Sequence, residues 1–196
     1  MSKMEIVSII YYIETVIRNN WYRLVGKMVK LYLILHGCRV GKGLKCKAWP
    51  RFKAVPKGNI TIGNYVTLGR DITLEAWESG KIVLGNHVLL TQNVLISSKS
   101  EVRMGDYSGA AEYTSIRDHD HEMKNKNLAI RQEPSRTAPI FIGEKVGITS
   151  YCLILRGAVL PNGVILGANT IVTREDKLEE NGIYVGSPPK LIRKRA

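Results

Sequence analysis

Two of the four histidines, His119 and His121, lie in the segment "IRDHDHEM" at residues 116–123, each preceded by an acidic residue, Asp118 or Asp120. A neutral imidazole can take a proton from a hydroxyl at pH 7, and a neighbouring carboxylate can orient the ring and stabilise the imidazolium that forms. Histidines and acids in this pattern also occur in hydrated polar turns and as pairs of metal ligands. The segment alone therefore leaves base catalysis, a metal pair and a plain surface turn open.

The chain on both sides of this segment has a six-residue period. Upstream, the aliphatic positions run from Ile62 to Leu74 and from Leu84 to Ile96, and downstream they are Ile142, Ile148, Ile154, Leu160, Leu166 and Val172. Neither an α-helix nor an ordinary strand has this period, which is the signature of a hexapeptide β-helix. Three six-residue units close a triangular coil, and stacked coils pair as parallel strands around an aliphatic core. We predict a mainly β protein.

The repeat divides the chain into three parts. Residues 1–37 are predicted to be a helical cap, residues 38–176 the β-helix, and residues 177–196 a C-terminal strand followed by a short helix. Within the β-helix, residues 122–139 break the period and contain Pro134 and Pro139. This stretch is predicted to leave the prism as a loop, which would form one wall of a pocket beside the histidines.

Residues 1–35 combine apolar residues at helical intervals with interrupting charges, so that no run approaches the ~20 apolar residues that span a bilayer. The segment also lacks the form of a cleaved signal peptide. It is predicted to form one or two amphipathic helices that cover the open end of the β-helix, whose strand edges would otherwise be exposed. A helix lying on an anionic membrane is the second interpretation, and the two are compatible.

The net charge of +12 admits nucleic acid, anionic lipid or a phosphate-rich small molecule as partners. A nucleic-acid partner is not expected, because the basic residues are neither interleaved with exposed aromatic residues nor part of a known binding module. The three cysteines have no metal-ligand spacing. An odd number of cysteines without a signal peptide indicates reduced thiols and a cytoplasmic protein, which could also lie at the inner face of the membrane.

Taken together, the repeats, the histidine segment and the C-terminal sequence "VILGANTIVTRED…GIYVGSPPKLIRKR" resemble the hexapeptide-repeat, left-handed β-helix acyltransferase superfamily. The ending is similar to the family's Gly-Ala-Gly-Ser-Val-Val stretch followed by Gly-x-Pro-Ala-Lys-x-Ile. The chain departs from this pattern at Asn169, where the family usually has Gly, and at Pro189, where it has Ala. Within the family it resembles the O-acetyltransferases of maltose, galactosides, antibiotics and bacterial surface polysaccharides. Residues 118–121 match an Asp-His-Asp/Asn-His variant that is common in the last group.

This resemblance implies a left-handed β-helix that transfers an acetyl group from acetyl-CoA to a sugar hydroxyl, by direct attack with a His general base. The implied pathway is surface polysaccharide (O-antigen or capsule) biosynthesis, with a nucleotide sugar or a lipid-linked sugar as acceptor. N-acetylation of an amino sugar nucleotide is the alternative reaction. The family forms homotrimers with coenzyme A in a groove between neighbouring subunits, and no metal is expected. The positions that match its coenzyme A contacts are Gly147, Thr149, Ser150, Gly167, Ala168, Thr173, Lys190 and Arg193.

The choice of base depends on which family spacing applies. Members often have an aliphatic residue, four others and then the catalytic His, which from Ile116 gives His121. Other members have a His-Asp pair, which favours His119 with Asp120. We expect His121, with His119 as the alternative, and the candidate residues that would orient either ring are Asp118, Asp120 and Glu122. His87 is expected at a surface corner of the repeat.

Three other functions fit parts of the sequence less well. A non-catalytic β-helix scaffold would need neither the histidine pair nor the C-terminal motif. A zinc enzyme of the γ-carbonic anhydrase kind, on the same fold, would take three imidazoles. Two of them are separated by four residues in that family, whereas one residue separates His119 from His121. A covalent serine mechanism would need a Gly-x-Ser-x-Gly elbow, which the chain lacks.

Overall fold

A computed structural model describes residues 3–195 and shows one long helix followed by a parallel β-helix. The helix is α1 (Lys3–Leu35). The strands of the first four coils are β1 (Arg39–Val40), β2 (Lys45–Cys46), β3 (Arg51–Phe52), β4 (Ile60–Ile62), β5 (Thr67–Leu68), β6 (Thr73–Ala76), β7 (Lys81–Leu84), β8 (Leu89–Leu90), β9 (Leu95–Ser98), β10 (Glu101–Met104), β11 (Gly109–Ala110) and β12 (Ser115–Arg117).

A hairpin then leaves the coil and is formed by β13 (His119–His121) and β14 (Ser135–Thr137), with a 3₁₀ turn at Ile130–Gln132 between them. The remaining strands are β15 (Ile140–Ile142), β16 (Gly147–Ile148), β17 (Leu153–Leu155), β18 (Val159–Leu160), β19 (Ile165–Leu166), β20 (Ile171–Val172), β21 (Gly182–Val185) and β22 (Lys190–Lys194).

The strands form the three faces of a prism because each coil contributes one strand to each face. Sheet A has the order β1-β4-β7-β10-β15-β18, sheet B the order β2-β5-β8-β11-β16-β19-β21-β22, and sheet C the order β3-β6-β9-β12-β17-β20. The hairpin follows β12 of sheet C and precedes β15 of sheet A. It therefore projects from the corner between sheets C and A, which is opposite the face formed by sheet B.

The aliphatic positions of the repeat form the core, as the six-residue period predicts. In sheet C, one residue of each coil lies in register with the next, in the order Leu74, Ile96, Ile116, Ile154 and Val172. All five side chains are fully buried. The prediction of a mainly β protein built from hexapeptide coils is confirmed.

The corners between sheets A and B have a left-handed backbone even at large residues. Tyr65, His87 and Tyr107 have φ angles of 56°, 56° and 57°. Their exposed rings stack along the corner, with centroid distances of 5.1 Å from Tyr65 to His87 and 4.6 Å from His87 to Tyr107. This stacking accounts for His87, which lies at a different corner of the prism from the hairpin.

The C-terminal end of α1 packs on the first coil, where Val25, Val29 and Leu33 are buried. Over residues 4–24, by contrast, every side chain that the structure describes is exposed except the half-buried Thr15 and Tyr22. The helix thus covers the first coil with its last three turns only. Over the described residues 3–195, no helix is both long enough and apolar enough to cross a bilayer.

The expectation of a short C-terminal helix is wrong. The predicted strand is present as β21, but the chain then reverses at Gly186, which has a φ of +92°. The following segment is β22, which pairs antiparallel with β21. Pairing satisfies the backbone groups at the edge of sheet B, and a helix at this position would leave them exposed.

Candidate active site

Asp118 is the centre of the site, and its carboxylate is fully buried where the chain leaves β12. Oδ1 accepts from the backbone N–H of Lys99 at 2.8 Å, and Oδ2 accepts from the backbone N–H of Ser100 at 2.9 Å. The Ser98 hydroxyl donates to Oδ2 at 2.6 Å. Since each oxygen accepts from a backbone donor, the carboxylate is held in one orientation by the coil beneath it.

His119 takes the remaining position on this carboxylate. Its Nδ1 lies 3.0 Å from Oδ1 of Asp118, and its side chain is 10% exposed. A carboxylate held by N–H donors can only accept from the ring, so Nδ1 carries the proton and Nε2 is left with a free lone pair. Asp118 and His119 therefore form an oriented imidazole–carboxylate pair with Nε2 available as a base.

His121 lies two residues further along β13, and thus on the same side of the strand as His119. Its Nδ1 lies 3.0 Å from the backbone carbonyl oxygen of Glu133, which can only accept. The Nε2 of His121 is therefore also unprotonated in the neutral ring, but the partner is a neutral carbonyl. A carbonyl orients the ring without the charge that would stabilise an imidazolium.

Asp120 lies on the opposite side of β13 and holds the hairpin to the coil. Arg136 of β14 donates to both of its oxygens, at 2.6 and 3.3 Å, and Arg156 donates to Oδ1 at 3.2 Å. Burial alone would raise the pKa of Asp120, but the two guanidinium groups outweigh it and lower the pKa. The expectation that Asp120 orients a histidine is not matched by these contacts. Glu122, the third candidate, pairs with Lys124 at 3.4 Å.

A second buried carboxylate, which the sequence analysis did not single out, lies on the same sheet as this pair. Glu75, Ser97 and Arg117 are in register across sheet C, one residue before the row that contains Ser98 and Asp118. The Ser97 hydroxyl donates to Glu75 at 2.6 Å, and Lys53 pairs with it at 2.7 Å. Burial alone would raise the pKa of Glu75, but these two partners lower it. The row places charged groups on sheet C, one position before the row of Asp118.

The eight predicted coenzyme A positions are spread over three parts of the prism. The corner between sheets B and C holds Thr149, Ser150, Gly167 and Ala168. Sheet B itself holds Gly147 and, on its edge strand β22, Lys190 and Arg193. Thr173 lies at the corner between sheets C and A. The side chains of Lys190 and Arg193 are exposed.

The hydroxyls at these positions have partners within the chain. Thr149 donates to the Leu166 carbonyl at 2.7 Å, Ser150 to Glu112 at 2.8 Å and Thr173 to Asp176 at 2.8 Å. Thr149 and Ser150 therefore brace the corner between sheets B and C, so their backbone groups are held in place.

Sheet B carries a shallow apolar groove of about 300 Å³ next to this corner. Its floor contains Gly109 and Gly147, which are in register on neighbouring strands, with Leu89 and Ile165 as neighbours in the same row. A Cβ at Gly147 would lie 2.8 Å from the Cδ1 of Ile165, so a larger residue there would displace that side chain and narrow the groove. Gly109 was not expected from the sequence, although it falls where other coils have Thr67 or Leu89.

Comparison with known proteins finds proteins named as acetyltransferases, in agreement with the resemblance noted in the sequence. No protein-family model matches the sequence. A Mycobacterium tuberculosis H37Rv protein named as an acetyltransferase is 28% identical over 176 residues, which is 89% of this chain and 56% of that protein. WbbJ of Escherichia coli K12, named as a lipopolysaccharide biosynthesis O-acetyl transferase, is 28% identical over 70% of this chain and 72% of its own. The chain thus spans little more than half of the first relative.

Among solved structures, AntD, an N-acyltransferase from Bacillus cereus, superposes with a TM-score of 0.70 at 21% identity, covering 85% of this chain and 89% of that chain. That structure is a complex with dTDP-4-amino-4,6-dideoxyglucose and coenzyme A. A galactoside acetyltransferase in complex with coenzyme A gives a TM-score of 0.55 at 21% identity, over 90% of this chain and 82% of that one. The chain therefore has the hexapeptide-repeat β-helix fold of these acyltransferases, and its sequence is similar to proteins named as acetyltransferases.

Proposed function

We propose that this protein transfers an acetyl group from acetyl-CoA to a hydroxyl of a sugar in the biosynthesis of a surface polysaccharide. The observation that carries the proposal is the oriented pair of His119 and buried Asp118 at the base of the hairpin. The named functions of the relatives support the reaction class, and coenzyme A in the structures with the same fold supports the donor.

His119 acts as the general base in this proposal, in place of the His121 that family spacing favours. Nε2 of His119 accepts the proton of the sugar hydroxyl while the hydroxyl oxygen attacks the thioester carbonyl carbon. Asp118 stabilises the imidazolium that results, because the carboxylate is already hydrogen-bonded to Nδ1. When the tetrahedral intermediate breaks down, the C–S bond cleaves and Nε2 returns the proton to the leaving sulfur. His121, on the same side of β13, lines the acceptor side of the site.

A homotrimer is part of the proposal. The His119 hairpin projects from the corner between sheets C and A, whereas the groove floored by Gly109 and Gly147 lies on sheet B. A single chain therefore holds the base and the groove on different sides of the prism. Packing the hairpin of one subunit against sheet B of the next brings them together and completes the site.

N-acylation of an amino sugar nucleotide is the second candidate, because the AntD complex contains an amino sugar nucleotide on the same fold. The same base serves both reactions, since an ammonium group must also lose a proton before it attacks.

The experiment is to incubate the protein with acetyl-CoA and a panel of sugars, nucleotide sugars and amino sugar nucleotides, and to measure thiol release and product mass. A product with one added acetyl group that mild alkali removes supports O-acetylation, whereas an alkali-stable acetyl group supports the N-acyl alternative. If no acceptor reacts and calorimetry detects no acetyl-CoA binding, the proposed activity is wrong.

A further inference from the structure

The outer face of α1 is a continuous apolar stripe. Its residues follow one another at intervals of three or four: Ile10, Ile13, Ile17, Trp21, Leu24, Met28, Leu31 and Leu35. Each is at least 48% exposed. At 1.5 Å per residue, the stripe is about 38 Å long. Soluble monomers rarely expose a contiguous apolar surface of this size without a partner for it.

The stripe faces away from the β-helix. The buried positions of α1 are Val25, Val29 and Leu33. Residues are about 100° apart around a helix, so a position two residues from a buried one points to the opposite side. Leu31 lies two residues after Val29 and two before Leu33. The hydrophobic core therefore leaves the stripe uncovered along its whole length.

Basic side chains lie on both sides of the helix where it meets the first coils. On one side is a cleft of about 420 Å³ whose cationic lining residues are Arg23, Lys27, Lys30, Lys42 and Lys45. On the other side is a cleft of about 360 Å³ whose cationic lining residues are Arg18, Lys47 and Arg70. Lys42 lies 5.5 Å from the ring centroid of Tyr65, in a cation–π contact. Within residues 3–195, none of these eight cations is in an ion pair.

The charge distribution identifies the partner. An exposed apolar face with an aromatic residue and flanking cations matches the interface of a bilayer with anionic headgroups. A second copy of this chain would bring the same cations to the same seam, and like charges would oppose that contact. Lys27 shows the conflict directly, because it lies one helical turn from both Leu24 and Leu31.

We propose that α1 and the two basic clefts beside it form a docking surface for an anionic membrane. The apolar stripe lies among the acyl chains just below the headgroups, and the eight cations contact lipid phosphates. This inference does not depend on the reaction. If the proposed function also holds, docking restricts the acceptor to a sugar carried on a membrane lipid, since the surface positions the protein beside such acceptors.

The test is co-sedimentation of the full-length protein with vesicles, without any acyl donor. We expect binding to vesicles of equal parts phosphatidylglycerol and phosphatidylcholine, and at least about tenfold weaker binding to pure phosphatidylcholine vesicles or in 1 M salt. The variant Ile17→Asp/Leu24→Asp is expected to lose binding. Its control, Ser8→Asp/Tyr12→Asp, adds the same charge to exposed positions on the opposite face of α1, away from both clefts, and is expected to bind.

A second pair of variants tests the clefts. Arg23→Glu/Lys27→Glu is expected to weaken binding at least about tenfold, since each basic residue near an anionic surface contributes about fivefold. Lys126→Glu/Lys177→Glu makes the same change in net charge at exposed sites away from α1 and is expected to bind normally.

Two results would overturn the inference. One is a failure of vesicle binding to behave as expected: wild type does not bind anionic vesicles, or each control variant loses as much binding as the variant it is matched to. The other is that Ile17→Asp/Leu24→Asp changes the molar mass measured by light scattering while vesicle binding stays at the wild-type level, which would make the stripe a contact between protein chains. Circular dichroism checks that each variant is folded. If wild type binds anionic vesicles but transfers no acetyl group, that result counts against the proposed function alone.

Discussion

The substitution Asp118→Asn tests the buried pair most sharply, because every hydrogen bond of the carboxylate is known. Oδ1 accepts from Lys99 N–H and His119 Nδ1, and Oδ2 accepts from Ser100 N–H and the Ser98 hydroxyl. An asparagine has one oxygen and one NH₂ group. In either orientation the NH₂ group therefore faces a backbone N–H that loses its acceptor.

The expected loss of stability follows from that unpaired donor. A buried N–H without a partner costs about 1–3 kcal/mol, so Asp118→Asn is expected to lower the free energy of unfolding by about that amount. Catalysis is also lost in the folded variant, because neither orientation of the amide supplies a negative charge to the imidazolium. One orientation also donates to Nδ1 and moves the ring proton to Nε2, which abolishes the base. We expect kcat/KM to fall by about 10²-fold or more.

Ser98→Ala is the matched control. It removes one donor to the carboxylate but leaves both backbone donors, the charge and the contact with His119. It is expected to lose about 1 kcal/mol of stability and less than tenfold in kcat/KM. Rates are measured as thiol release from acetyl-CoA, at a temperature at which circular dichroism shows each variant to be folded. Asp118→Asn with kcat/KM within threefold of wild type would refute the role of the carboxylate.

Three further predictions concern charge, thiols and packing. The pKa of Asp120 is lowered in the folded protein, so the ionised carboxylate stabilises the fold above about pH 4, and this stabilisation is lost as pH falls through the lowered pKa. Urea unfolding in this range should show wild type losing more stability than Asp120→Asn. The difference should be less than about 1 kcal/mol, because the ion pairs of Asp120 are partly exposed. Burial raises the pKa of Cys46 to about 12, so a thiol reagent at pH 8 should leave Cys46 unmodified until the protein is unfolded; rapid labelling of the native protein would contradict this. Ile96→Ala removes a fully buried side chain between neighbouring coils and should cost about 2–5 kcal/mol in urea unfolding. Leu89→Ala, at a half-exposed position, should cost less than about 1.5 kcal/mol.

The core could be predicted from the sequence because each coil repeats the same local rule. Leu74, Ile96 and Ile116 stack because the strands that carry them bring the same repeat position to the same face, and periodicity alone reveals that position. The C-terminal strand β22 could not be found in this way. This strand pairs with the exposed edge of sheet B after a turn at Gly186, and the six-residue repeat of the sequence predicts neither feature.

The histidines could be singled out by type, but their roles depend on contacts between coils. Asp118 is oriented by Ser98, Lys99 and Ser100, which lie one coil earlier and about twenty positions away in the sequence. Local spacing cannot reveal that Asp118 is buried and bonded to the ring of His119, whereas Asp120 is bonded to two arginines. The proposal of His119 rather than His121 therefore rests on contacts that only the structure shows.

The central claim is that His119, with its buried carboxylate, is the base for acetyl transfer, and one comparison tests it directly. With an acceptor that wild type acetylates, kcat/KM is measured for His119→Ala and His121→Ala under the same conditions. The account predicts a loss of about 10²–10⁴-fold for His119→Ala and a smaller loss for His121→Ala. A larger loss for His121→Ala, with His119→Ala close to wild type, would contradict it.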